Sequence, residues 1–142
     1  MTRTEIPPEK ISAYEATYYR AGARPRTLEL RIGKHSPELA SRYKDTGANC
    51  AIFITAFNPL GQKQDDVSND AAHGRLGEQL RAASDHVIEG EGADPAGQWP
   101  AEKSYLALGI DADAARELGR HFEQDAVVWT GKNAIPQLLL LR

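Results

Sequence analysis

The chain has 142 residues, 41% of them hydrophobic and 26% charged, the make-up of one globular domain that buries roughly two-thirds of its unfolded surface. No apolar run approaches the roughly 20 residues that span a bilayer, and MTRTEIPPEKIS is not an apolar signal segment, so one soluble, cytoplasmic domain over residues 1–142 is expected, with no membrane association. The net charge of −3 divides into +4 over residues 1–44, nine Lys/Arg against five Asp/Glu, and −7 over the remainder, eight against fifteen; the basic residues are spread out, as on a solvated face.

SAYEATYYRA and RTLELRIG are rich in β-branched or aromatic residues. The second alternates Leu28, Leu30 and Ile32 with Glu29 and Arg31, so the two predict a β-hairpin turning at GARP. Ser36 reads as an N-cap with Pro37 at the first helical position, and Gly47 closes that helix. CAIFITAF, apolar almost throughout, predicts a core strand in which the single cysteine, Cys50, is a buried small residue. From Ser68, a second expected N-cap, Ala72, Leu76, Leu80 and Ala83 fall at helical spacing. HVIEG predicts a short strand, EGADPAGQWPAEK a loop and SYLALGI a strand. Asp111 begins a helix carrying Ala115, Leu118, Gly119 and Phe122, DAVVWTG is the next strand, and PQLLLLR adds an edge strand from Pro136.

The fold expected is therefore α+β: a ferredoxin-like βαββαβ core over about residues 50–130, preceded by a β-hairpin and helix and followed by a C-terminal edge strand. In the usual antiparallel order, the first and second core strands end, and the third and fourth begin, at one end of the sheet. Polar residues lie at all four junctions. The expected ligand-binding set is Asn58, Asn69, Asp94, Trp99, Glu102, Ser104 and Gln124, with Thr55, Ser68 and Asp125 nearby. ITAFNPLGQ then reads as one wall of a site stiffened by Pro59; the alternative is plain Asn-Pro turn chemistry.

The segments AYEATYYR, LRIGKHSPEL, ITAFNPLGQ, GEGADPAGQWPAEKSYLALGI and LGRHFEQDAVVW, with the helix start at Asn69, together resemble an uncharacterised bacterial family, domain-of-unknown-function family 3293. The resemblance covers nearly the whole chain and implies a small bacterial protein of this architecture, with no activity or ligand to transfer. FEQDAVVW departs from the pattern at Glu123, where a small residue, often Gly, is expected before Gln124.

Glu102, between a Trp-Pro turn and an apolar strand, is the candidate general acid or base, with Asp94 as a possible partner; a solvated loop Glu and a turn-starting Asp are the plainer reading. Ser104 and Thr55 lie in no nucleophile elbow. His35, His73, His86 and His121 are too scattered for a metal set, and no cofactor is expected. A phosphate at the helix start near Ser68 and Lys63 would meet Asp65, Asp66 and Asp70. RNA binding is disfavoured because KSYLALGI lacks the aromatic platform, with Ala107 and Ile110 in its place. Trp99 either caps the site or pins its own loop, and Trp129 packs in the core. Three function classes follow: a noncatalytic module binding a small polar metabolite or protein segment, an enzyme using Glu102, or a partner subunit joined through a sheet edge.

Overall fold

The computed structural model describes residues 4–23, 27–97 and 100–142. Among them run α1 (Pro8–Ala16), β1 (Tyr18–Ala21), β2 (Leu28–Leu30), α2 (Pro37–Thr46), β3 (Ala51–Ile54), α3 (Asp66–Ala83), β4 (Val87–Ala93), β5 (Glu102–Leu108), α4 (Ala112–His121), β6 (Ala126–Thr130) and β7 (Pro136–Leu140), with a short 3-10 turn at Pro59–Gly61. The strands form one sheet ordered β2-β1-β4-β5-β3-β6-β7, antiparallel at every pairing. The class is α+β.

Side-chain alternation along the strands divides the core in two. On one face Ile52, Ile54, Tyr105, Ala107 and Val127 pack against α3 through Ala72, Leu76 and Leu80 and against α4 through Ala115. On the other, Ala51, Phe53, Leu106, Leu108 and Val128 meet α2 through Leu39 and Tyr43, and also Tyr19, Leu28 and Leu30 of the hairpin. The Tyr19 and Phe53 rings lie 5.3 Å apart, although their strands are three strand spacings, about 14 Å, apart along a flat sheet. The sheet therefore curls over its own apolar face. Gly33 N–H donates to the Pro136 carbonyl at 2.8 Å, and Ser36 N–H to that of Ala134 at 2.8 Å, tying the segment after β2 to the approach of β7.

Several local expectations hold. Ser36 accepts from the Leu39 N–H at 3.2 Å, Gly47 closes α2 at φ 80°, Asp111 caps α4, and β7 is an edge strand opening on Pro136. Others need correction. Half of the first predicted strand, residues 12–16, belongs to α1, because Pro7-Pro8 starts a helix and PEKISAYEA contains few β-branched residues; only YYRA enters the hairpin. The predicted strand HVIEG, which ends on Gly90, extends to Ala93 through Gly92, where a loop is expected. A Cβ on Gly90 would collide with the Arg20 carbonyl of β1, so the close crossing of the curled strand requires glycine there. The cap of α3 is Asp65 rather than Ser68, whose N–H donates to the Asp65 carboxylate at 2.8 Å. No helix among the described residues is long and apolar enough to cross a membrane.

Candidate functional site

The pairings Ile54 with Tyr105, Phe53 with Val128 and Gly92 with Glu102 put the ends of β3 and β4 and the starts of β5 and β6 at one end of the sheet. Thr55 joins the strand end to its neighbour: its hydroxyl donates to the Lys103 carbonyl at 2.8 Å and accepts from the Phe57 N–H at 3.1 Å. The following turn places Asn58 at φ 50°, Leu60 at φ 57° and Gly61 at φ 72°. A left-handed residue directly before proline is uncommon, and asparagine tolerates that region better than most side chains. At Gly61 a Cβ would run into Lys10 Nζ.

This strained turn is held by a side-chain network. Asn58 Oδ1 accepts from the Gln64 N–H at 2.9 Å and from Asn69 Nδ2 at 3.0 Å, while its Nδ2 donates to Glu102 Oε2 at 2.8 Å. Asn69, buried at the start of α3, accepts on Oδ1 from the Asn58 N–H at 2.9 Å and from Gln64 Nε2 at 3.1 Å. Its Nδ2 also reaches the Gln64 carbonyl at 3.3 Å. The two asparagines thus satisfy each other and both ends of the turn.

Glu102 is the one ionisable side chain in the network. Burial raises its carboxyl above the usual glutamate range, against the opposing hydrogen bond from Asn58 and the charge of Lys10. Beside it, burial and then the carboxylates of Asp125 and Glu102 raise the Tyr14 hydroxyl. Asp125 behaves oppositely: burial pushes it up, but Lys10 and Arg142 outweigh that and hold its carboxyl below the usual range. Lys10 donates to Asp125 Oδ2 and Arg142 Nε to Oδ1 at 2.6 Å, an ion triad that fastens α1 to the start of β6.

Of the residues expected from sequence, Asn58, Asn69 and Glu102 are in direct contact. Gln124 joins through the same loop, donating to the Phe57 carbonyl at 3.1 Å and the Phe122 carbonyl at 3.2 Å. Ser104 is buried and donates to the Glu102 carbonyl at 3.0 Å. Asp94 serves its own turn, accepting from the Ala96 N–H at 3.0 Å, and Trp99 lies outside the described residues. Sequence reasoning missed Gln64, Lys10, Tyr14 and Arg142. Gln64 had a usable signal, the polar run GQKQ continuing the turn; the other three come from the chain's ends and are brought in only by tertiary folding. Glu123 has φ 55° and an exposed side chain, and its carbonyl accepts from the Leu60 N–H at 2.6 Å. The expected small residue there answers a backbone requirement, and the longer side chain stays outside the network.

The profile for a protein of unknown function (DUF3293) matches residues 54–127, just over half of the 142 residues. That span holds Asn58, Gln64, Asn69, Glu102 and Gln124, while Lys10 and Tyr14 precede it. No curated protein and no solved structure matches the chain.

Proposed function

We propose that this chain, which belongs to the DUF3293 family, is a noncatalytic binding module that takes a small polar metabolite at the sheet end where Asn58, Asn69 and Glu102 meet. The observation that carries this reading is the 2.8 Å bond from Asn58 to Glu102. It orients a half-buried carboxyl, and among the described residues the second oxygen, Oε1, accepts no hydrogen bond. Left-handed backbone and buried polar networks persist where the surroundings over-determine them, and both concentrate at ligand sites. The order β4-β5-β3-β6, with α3 and α4 on one face, supports reading the core as the ferredoxin-like arrangement that gathers these junctions. A bacterial, cytoplasmic setting belongs to the same reading, supported by the sequence resemblance and a free buried Cys50.

The raised carboxyl of Glu102 also favours a second reading, general acid–base catalysis. Binding is preferred because the nearby cation, Lys10, is engaged with Asp125, and the raised Tyr14 hydroxyl is no base at neutral pH. Thermal-shift screening of wild type and Glu102→Gln against nucleotides, sugars, amino acids and amines tests the proposal. A ligand at about 100 times its Kd adds roughly 2.7 kcal/mol. A shift in wild type that Glu102→Gln abolishes is expected; turnover of the ligand would favour the enzyme reading, and no shift with any compound would overturn the binding proposal.

A further inference from the structure

We propose that the ligand class of this site is a small ammonium compound, held by the Glu102 carboxylate and the side-chain carbonyls of Gln64 and Gln124. The inference rests on the sheet end being a binding site and names what that site accepts. It comes from counting donors and acceptors. Asn58 Nδ2 is used on Glu102, Asn69 Nδ2 on Asn58 Oδ1 and the Gln64 carbonyl, Gln64 Nε2 on Asn69 Oδ1, and Gln124 Nε2 on two backbone carbonyls. These amide orientations are fixed by backbone partners. Asn58 Oδ1 and Asn69 Oδ1 each accept from a main-chain N–H, and Gln124 can face two carbonyls only with its nitrogen.

Both N–H groups of Asn69 and of Gln124 are thus used, while Asn58 and Gln64 each use one and keep one. Beside these two donors, the described residues leave acceptor capacity on the partly exposed side chains of Gln64, Glu102 and Gln124, and the charge among them is the Glu102 carboxylate. A ligand held by these three acceptors must bring donors, and an ammonium brings three. Charge agrees. The carboxylate of Glu102 forms no salt bridge among the described residues, whereas Asp125 is already matched by Lys10 and Arg142. Asp65 and Asp66 lie at the adjoining start of α3, and the chain from residue 45 onward carries a net −7. An anion would find two amide N–H groups, on Asn58 and Gln64, but no cation in the cluster, and it would meet the Glu102 carboxylate and this negative field.

The groups whose charges act on Glu102 or feel it are Lys10 and Tyr14 of α1 and Tyr19 of β1, with Asn58 as its hydrogen-bond donor. An ammonium selects the ionised carboxylate, so binding at mildly acid pH releases a proton. Isothermal titration calorimetry with putrescine, ethanolamine and glucosamine, and with butanediol, ethylene glycol, glucose, acetate and inorganic phosphate, tests this in two buffers of different ionisation enthalpy. At least one amine is expected to bind, with its neutral counterpart at least about tenfold weaker, since charge-assisted hydrogen bonds are the stronger ones. Proton release should appear at acid pH and diminish as pH rises. Glu102→Gln, checked for a cooperative melt, should weaken the amine about tenfold or more. Equal or tighter binding of a neutral compound or an anion, lost in Glu102→Gln, would overturn the ammonium class while leaving the binding site standing. Amine binding unchanged in Glu102→Gln, or no binding by any amine, would also overturn it; a flat thermal-shift screen would take the site with it.

Discussion

Asn58 donates its side-chain amide to Glu102 across 2.8 Å while its own backbone is held at φ 50°. The bond links the strained turn after β3 to the first residue of β5, and the carboxyl it reaches is raised by burial. A raised carboxyl in the folded state contributes stability that is fully present below the unfolded glutamate value and is lost as pH rises through the folded one. Glu102→Gln keeps an acceptor for Asn58 and removes the ionisation. The variant should therefore melt above wild type at neutral pH, with the difference closing as pH falls below the ordinary glutamate range; scanning calorimetry across pH reads both. Gained stability with lost amine binding is the trade expected of a binding residue.

Asn69→Ala removes the acceptor for the Asn58 N–H and the donor to two oxygens, in a residue that is 4% exposed. Leaving such groups unsatisfied should destabilise the chain by about 2–3 kcal/mol. Chemical denaturation should show a lower midpoint at unchanged slope.

The fold was largely legible in the sequence, and the reasons are local. Apolar alternation and Pro/Gly punctuation located β2, β3, β5, β6 and β7, and the caps Ser36 and Asp111 were readable from side-chain type alone. Three features were not read, the first against a local signal and the other two because they depend on non-local structure. Tyr14 and Lys10 sit on α1, whose aromatic content reads as strand until Pro7-Pro8 is weighed. Gly90 is glycine because β1 crosses close to it, a contact with a residue 70 positions earlier. The chain-terminal Arg142 meets Asp125 only once β7 has paired with β6. At the candidate site, chain order indicated that Asn58, Asn69 and Glu102 converge, but the internal use of most of the amide donors is visible only in three dimensions.

Glu123 occupies a left-handed position with its side chain in solvent. Because that region costs a non-glycine residue roughly 1–2 kcal/mol, partly offset by the greater freedom glycine loses on folding, Glu123→Gly should stabilise by about 0.5–1 kcal/mol. Its thermal midpoint should rise while amine affinity stays at the wild-type value. A lower midpoint would mean that the Glu123 side chain supports the turn.

Asp125 gives the opposite pH behaviour to Glu102. Its lowered carboxyl contributes stability above the unfolded aspartate value that is lost as pH falls through the folded one. Asp125→Asn should cost about 1–3 kcal/mol at neutral pH, less than breaking a fully buried pair, because Lys10 and Arg142 are each about a third exposed and can turn to water. The gap to wild type should narrow in acid, and hydrogen exchange should speed up in α1, which has no fully buried residue of its own.

The central claim is that the Asn58–Asn69–Glu102 cluster is a binding site for a small polar molecule. The most direct test follows the side-chain amide resonances of Asn58, Gln64, Asn69 and Gln124 by NMR while putrescine, ethanolamine or glucosamine is added to wild-type protein. Saturable shifts confined to these amides and the backbone of residues 57–64 and 102–104, absent in Glu102→Gln, are the predicted result. Unmoved amides at saturating amine, or shifts centred elsewhere on the molecule, would contradict the account.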